Sequence, residues 1–108
     1  MKVKKATTQP GVFGVTLYFD TCGNKIGEAR PHGILERIDY YDKHGNFKGY
    51  SEKAALGRRI YYDAQGTKTG TSEMGMLESI IYYDNLGRKT GVSEKAPLGG
   101  TTYYEITE

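Results

Sequence analysis

A 21-residue repeat occupies almost the whole chain and limits what the chain can fold into. Full copies of Tyr-Tyr-Asp-x-x-Gly begin at Tyr40, Tyr61 and Tyr82, each 21 residues after the last. A variant, Tyr18-Phe19-Asp20, lies 22 residues upstream of the first, and Tyr103-Tyr104-Glu105 ends the series. Self-similarity at a fixed period is typical of repeat architectures, in which each unit packs against its neighbours.

The repeat divides the 108 residues into consecutive segments of one predicted domain. These are a half unit at 1–17, four units at 18–39, 40–60, 61–81 and 82–102, and a closing strand at 103–108. Unit 18–39 has one extra residue, and we expect this residue to shift the register of the strand that follows, through a bulge. Because almost nothing lies outside the repeat, we expect no separate catalytic domain.

Each unit reads as a β-hairpin, so the predicted fold is all-β. The segment before each turn is rich in aromatic and β-branched residues, as in Ile60-Tyr61-Tyr62, and favours a strand. An Asp-x-x-Gly turn follows, in which Asp can bond the backbone ahead of it and Gly tolerates positive φ. The predicted turns are Asp20 to Gly23, Asp42 to Gly45, Asp63 to Gly66 and Asp84 to Gly87. We expect the hairpins to form an antiparallel meander or a hairpin solenoid.

Strand alternation places the two aromatic residues of each pair on opposite faces. The second residue of the pair shares its face with an apolar neighbour, as Tyr62 does with Ile60, and we expect this face to be the core. Phe19 with Leu17, and Tyr83 with Ile81, follow the same rule. The first residues would then form a partly exposed row, here called the tyrosine column: Tyr18, Tyr40, Tyr61, Tyr82 and Tyr103.

The pattern Tyr-Tyr-Asp-x-x-Gly-x-x-Thr-Gly, at 61–70 and 82–91, resembles three families of repeat. It is most similar to small bacterial and phage-type proteins of uncharacterised function with tandem Tyr-Asp-x-x-Gly-x-x-x-Gly-x-Ser units. It is also similar to the choline- and glucan-binding repeats of bacterial surface proteins and to the tyrosine–aspartate repeats of bacterial toxins. The resemblance implies β-hairpin repeats. Choline-binding repeats build their ligand cage mainly from tryptophan, and this chain has none, so the resemblance implies the hairpin and not that ligand.

The polar residues of the repeat suit structural roles better than chemistry. Each unit offers one turn aspartate, whereas a calcium site needs six or more converging oxygens. The Ser-Glu pairs, such as Ser72-Glu73, occur in three copies that we expect in loops, and a serine nucleophile needs one nearby base. The histidines, His32 and His44, fall in predicted turns, and with Cys22 they show no zinc-ligand spacing. We expect no metal, no cofactor and no catalytic residue.

Composition limits the expected cellular location of the protein and the class of partner it could bind. The formal net charge is +2, with acidic and basic residues interspersed, which disfavours nucleic acid. No apolar run approaches the roughly 20 residues of a membrane span, so no membrane partner is expected. The first residues, with lysines but no apolar stretch after them, do not fit the pattern of an export signal, and Cys22 is the single cysteine of the sequence. We therefore expect the reducing cytoplasm.

The favoured function is non-enzymatic binding through the tyrosine column, because tyrosine supplies apolar contact area and a hydroxyl. A protein is the first expected partner, and a carbohydrate or small ligand is the alternative. The alternative to any binding role is that the tyrosines only stack across strands. Unpaired end strands would also allow a homo-oligomer to form.

Overall fold

The computed structural model describes residues 1–33, 36–97 and 99–107, and these form ten antiparallel strands. The strands are β1 (Lys2–Pro10), β2 (Thr16–Asp20), β3 (Lys25–His32), β4 (Arg37–Asp42), β5 (Phe47–Lys53), β6 (Arg59–Asp63), β7 (Lys68–Met74), β8 (Ile80–Asp84), β9 (Lys89–Lys95) and β10 (Thr101–Ile106). The last strand therefore begins two residues before the expected boundary at 103, and Glu108 lies outside the described residues.

The strands form a meander that closes into a barrel. Each strand pairs with the next along the chain, and β1 pairs with β10, with Thr8 opposite Thr101 and Lys2 opposite Ile106. The all-β hairpin prediction is confirmed, but the solenoid alternative is wrong. Strand twist and tilt bring the first and last strands together, so closure leaves no edge exposed. An oligomer that pairs end strands would first have to open this β1–β10 contact.

One end of the barrel, here called the turn end, carries the four Asp-x-x-Gly sequences. In the first, the Gly23 N–H donates to the Asp20 carbonyl at 3.1 Å, and the Asp20 N–H donates to the Asn24 carbonyl at 2.9 Å. The four turn glycines have φ between 78° and 86°, which is the left-handed region. This is a type I turn followed by a glycine bulge, and it shifts the register within each hairpin, as between Tyr61 and Tyr62.

The opposite end, here called the open end, carries the other five connections, at 11–15, 33–36, 54–58, 75–79 and 96–100. In three of them, two successive residues with positive φ are the central pair of a tight turn: Phe13-Gly14, Leu56-Gly57 and Leu77-Glu78. In each turn, the residue that follows the pair donates its N–H to the carbonyl of the residue that precedes the pair, at 3.0 to 3.2 Å. Two positive φ angles with this bond define a type I′ turn.

The predicted core face is wrong, because the tyrosine column faces the barrel interior. Buried Ser51, Ser72 and Ser93 lie on the same face as the column, directly opposite its members or the residues two before them. The second aromatics, including Phe19, Tyr62 and Tyr83, therefore point outward. Both faces carry aromatic residues, and the apolar neighbours Leu17, Ile60 and Ile81 indicated the wrong face. The glycines opposite the column indicate the interior face, because a Cβ atom at Gly27, Gly49 or Gly70 would collide with a backbone carbonyl of the next strand.

The extra residue of unit 18–39 does not displace β4, contrary to the expectation of a shift there. The β3–β4 register runs without a break from Gly27 opposite Asp42 to His32 opposite Arg37. The shift that β4 shows, between Tyr40 and Tyr41, recurs in the next two hairpins and belongs to the turn bulge. Ile38 consequently shares the interior face with Tyr40. No helix among the described residues has the length and apolarity needed to cross a membrane.

Candidate functional site: the barrel cavity

The tyrosine column forms a row of rings along the inside of the barrel. Ring centroids are 6.2 Å apart between Tyr40 and Tyr61, 6.0 Å between Tyr61 and Tyr82, and 5.7 Å between Tyr82 and Tyr103. The rings are tilted or edge-on, which aromatic pairs prefer to a face-to-face sandwich. The structure thus brings these four predicted site residues into one continuous surface.

A glycine stands opposite each of the first four column tyrosines in the neighbouring strand, for example Gly49 opposite Tyr40 and Gly70 opposite Tyr61. A Cβ atom at Gly49 would collide with the carbonyl oxygen of Tyr62, and one at Gly70 would collide with that of Tyr83. The repeat therefore needs glycine here because neighbouring backbones approach too closely for any side chain. The Gly-x-Ser part of the motif is a barrel-lining element.

Three serines hold three of the column hydroxyls. Tyr40 shares a hydrogen bond with Ser51 at 2.8 Å, Tyr61 with Ser72 at 3.1 Å and Tyr82 with Ser93 at 3.0 Å. The Ser-Glu pairs lie inside strands β5, β7 and β9, so their predicted location in loops is wrong. Each serine is buried, and its hydroxyl lies beside a tyrosine rather than an imidazole. The serines therefore position rings.

The series of bonded hydroxyls stops where the barrel closes. Eleven residues after Tyr18, where the other units have serine, the chain has Ala29, which is buried. Tyr103 is in the last strand and has no following serine. Neither hydroxyl makes a hydrogen bond to a described side chain. Tyr18 lines the interior beside the other column tyrosines, whereas the Tyr103 hydroxyl lies over Gly91, toward the turn end.

Burial controls the ionisation of the column. It raises the pKa of Tyr61 and of Tyr82 to about 12, and the serine hydrogen bonds act in the opposite direction. Burial also raises the pKa of Tyr18, with further increases from neighbouring tyrosines. A higher pKa keeps a phenol neutral at physiological pH. The column therefore supplies neutral donors and acceptors and no base.

A cavity of about 770 Å³ is lined by Tyr18 and Tyr103 and reaches the open end. All five column tyrosines, together with Ala6, Pro10 and Ile80, give it largely apolar walls. Its polar groups include Thr8 and Thr101, whose hydroxyls share a hydrogen bond at 2.6 Å, and an ion pair between Lys95 and Glu78 at 3.4 Å. A concave, mostly apolar space with a few converging polar groups is the usual form of a small-molecule site.

The turn aspartates act on their own turns. Oδ1 of Asp20 accepts the N–H groups of Cys22 and Asn24, both at 2.9 Å, and the same pair of bonds recurs at the other three turns. Among the described residues, no group of three His, Cys, Asp or Glu is placed to hold a metal ion. The two histidines are separate: His32 lies 3.7 Å from Asp39, whereas His44 belongs to the Asp42 turn.

Sequence reasoning missed an aromatic ladder on the outer face. Tyr50 stacks on Tyr62 at 4.8 Å and on Phe47 at 6.5 Å, and the Arg37 guanidinium lies 4.0 Å from the Tyr50 ring centroid. The signal was Tyr50 itself, which stands where the other complete units have Thr71 and Val92. Cross-strand aromatic pairs and a cation–π contact of this kind stabilise a sheet surface.

Comparisons with family models, with curated proteins and with solved structures found no match to the chain, so the site alone carries the argument for function.

Proposed function

We propose that this protein is a non-enzymatic binding protein that takes a small, flat, mainly apolar molecule into the cavity at the open end. One observation carries the proposal. The cavity lies where the tyrosine–serine series is interrupted, and it is lined by Tyr18, whose neutral phenol has no hydrogen-bond partner among the described side chains. A ligand with a hydroxyl or carbonyl group would satisfy this phenol while its body lies against the tyrosine rings.

Because the column lies inside the barrel, a small ligand becomes the favoured partner and a protein becomes the alternative. A protein surface cannot reach rings inside a barrel, whereas a molecule of drug-like size fits a cavity of about 770 Å³. The predominantly apolar wall favours an aromatic ligand over an oligosaccharide, which needs many hydrogen bonds. The reducing cytoplasm remains the proposed location, because the single cysteine, Cys22, is exposed as a free thiol.

Ligand-observed NMR with p-cresol, indole and maltotriose tests the proposal. We expect the two aromatic probes to bind and maltotriose not to bind. Ala6→Leu, which fills the cavity without removing a polar contact, should abolish binding. Tyr18→Phe should weaken p-cresol binding by roughly tenfold, the effect of one lost hydrogen bond.

The matched control is Tyr62→Phe, which removes a hydroxyl from the outer face and should leave binding unchanged. Binding that persists in the folded Ala6→Leu variant would place the probe elsewhere and defeat the proposal. Failure of every probe to bind, together with capture of a host protein that depends on the column, would restore the protein-partner expectation.

A further inference from the structure

The open end carries large apolar side chains that nothing in the barrel covers. Phe13, Leu56 and Leu77 are each between 91% and 97% exposed. Val12 and Met76, beside two of them, are also exposed. These five residues are called the apolar rim. Single exposed apolar residues are ordinary on protein surfaces, but a group at one end of a molecule marks an interaction surface.

The three most exposed rim residues occupy a backbone position that disfavours them. Phe13, Leu56 and Leu77 have φ of 57°, 61° and 55°, as the first central residue of a type I′ turn. Asparagine, aspartate and glycine are preferred there, and a bulky side chain in this region is rare. The sequence also has a leucine at the matching repeat positions 35 and 98, which lie outside the described residues. An apolar residue thus recurs at this position in every copy of the sequence, and in the three described copies it does so against local conformational preference, which points to function.

The charge behind the rim complements an anionic surface. The five open-end connections and the strand residues that flank them hold five basic residues and two acidic ones, a formal excess of three positive charges. The basic residues are Arg37, Lys53, Arg58, Arg59 and Lys95, and the acidic residues are Glu36 and Glu78. Three of the basic residues form ion pairs: Lys53 with Glu36 at 3.0 Å, Lys95 with Glu78 at 3.4 Å and Arg37 with Asp39 at 2.8 Å. Among the described residues, Arg58 and Arg59 are therefore the basic residues of this set that have no carboxylate within ion-pair distance.

We propose that the apolar rim docks this protein onto a lipid surface that contains anionic headgroups. Separate apolar tips at one end of a barrel can all enter a bilayer interface together, and the basic residues behind them then lie at headgroup level. A second copy of the chain meeting rim to rim would bring like charges together and is disfavoured. The sequence-based expectation of no membrane partner concerned a spanning segment, and this contact needs none. The proposal is independent of whether the cavity binds a ligand.

Vesicle co-sedimentation of the full chain tests it, using phosphatidylcholine vesicles with and without phosphatidylglycerol. We expect binding to the mixed vesicles, weakened by salt, and little binding to phosphatidylcholine alone. The combined variant Phe13→Asn, Leu56→Asn, Leu77→Asn should reduce binding at least about tenfold, because it removes the inserted apolar area. Asparagine suits positive φ, so this variant should keep its fold, as checked by circular dichroism.

The matched control is Leu86→Asn, since Leu86 is also exposed but lies in a turn at the opposite end. It should bind vesicles as the parent does. Arg58→Gln should weaken binding to the mixed vesicles only. The proposal is overturned if the parent stays in the supernatant with mixed vesicles at low salt, or if the rim variant pellets like the parent. Capture of an acidic host protein that needs the rim, without vesicle binding, would assign the surface to that protein instead.

Discussion

At the scale of single residues, the column shows that one side chain has two different environments within the same repeat. The Tyr61 hydroxyl shares a hydrogen bond with buried Ser72, whereas Tyr18 has Ala29 at the matching position and lines the cavity. The rings play the same packing role in both cases. The hydroxyls therefore differ in what they do for stability, and substitution by phenylalanine separates the two contributions.

Tyr61→Phe should destabilise the fold, and Tyr18→Phe should not. The first change leaves the buried Ser72 hydroxyl without its partner, which costs about 1–3 kcal/mol. The second removes a hydroxyl that bonds to no described side chain, and we expect a change within about 0.5 kcal/mol. Urea unfolding followed by tyrosine fluorescence measures both free energies of unfolding. Equal losses in the two variants would contradict this account of the Tyr–Ser pairs.

At the scale of elements, the two kinds of turn follow opposite rules. The Asp-x-x-Gly turns use residues that favour their geometry, with the aspartate bonded to two N–H groups ahead of it. The open-end turns use leucine or phenylalanine where the backbone favours asparagine or glycine. The first kind contributes to stability, and the second lowers it. This contrast leads to one prediction for each end of the barrel.

Leu56→Asn should stabilise the protein. Leu56 has φ of 61° and precedes Gly57 with φ of 75°, so the substitution creates the Asn-Gly pair that type I′ turns prefer. We expect a gain of about 1 kcal/mol, the usual penalty for a bulky side chain in the left-handed region. Thermal melts of the parent, Leu56→Asn and the control Leu86→Asn measure it. A lower melting temperature for Leu56→Asn would show that Leu56 packs in the free protein.

Acid should destabilise the turn end. The backbone N–H of the residue four positions on lowers the pKa of Asp20, Asp42 and Asp84, with smaller contributions from other turn groups. A carboxylate whose pKa is lower in the folded state stabilises above its unfolded pKa of about 3.9, and this stability is lost as pH falls through the folded value. The melting temperature should therefore fall between about pH 5 and pH 3.

The matched variant replaces all three aspartates with asparagine. Asparagine retains a side-chain oxygen that can accept the same N–H groups, but it does not titrate in this range. The melting temperature of this variant should depend less on pH below about pH 5 than that of the parent. An unchanged acid dependence would assign the effect to other carboxylates.

The turns and strands were readable from sequence because they depend on nearby residues. Asp63 and Gly66 define a turn without help from the rest of the chain. The face of Tyr61 could not be predicted in the same way, because the outward Tyr62 is equally aromatic and the apolar Ile60 on the face of Tyr62 favoured the wrong side. Gly70, which pairs with Tyr61 on the neighbouring strand, identifies the interior face, but this pairing becomes evident only when the two strands are placed together. The cavity was hidden for the same reason, since Tyr18, Tyr103 and Thr8 meet only after closure.

At the scale of the whole molecule, closure makes a repeat protein behave as one unit. A solenoid unit contacts only its neighbours, so its stability is close to a sum over units. Here β1 and β10 supply the last pairing, and the Thr107 N–H donates to the Met1 carbonyl at 2.7 Å. No local sequence feature encodes this contact, because closure depends on strand number, tilt and register together.

A circular permutant should therefore fold, because the chain ends are neighbours. Joining residue 107 to Met1 through a short glycine–serine linker and opening the Asp63 turn at Gln65 preserves all ten strands. We expect one cooperative thermal transition within a few degrees of the parent, because the new ends lie in an exposed turn. The comparison chain lacks residues 101–108, so β1 and β9 lose their partner and become edges, and this chain should be unfolded or aggregated. A permutant that fails to fold, beside a truncated chain that melts like the parent, would show that the β1–β10 pairing does not hold the molecule together.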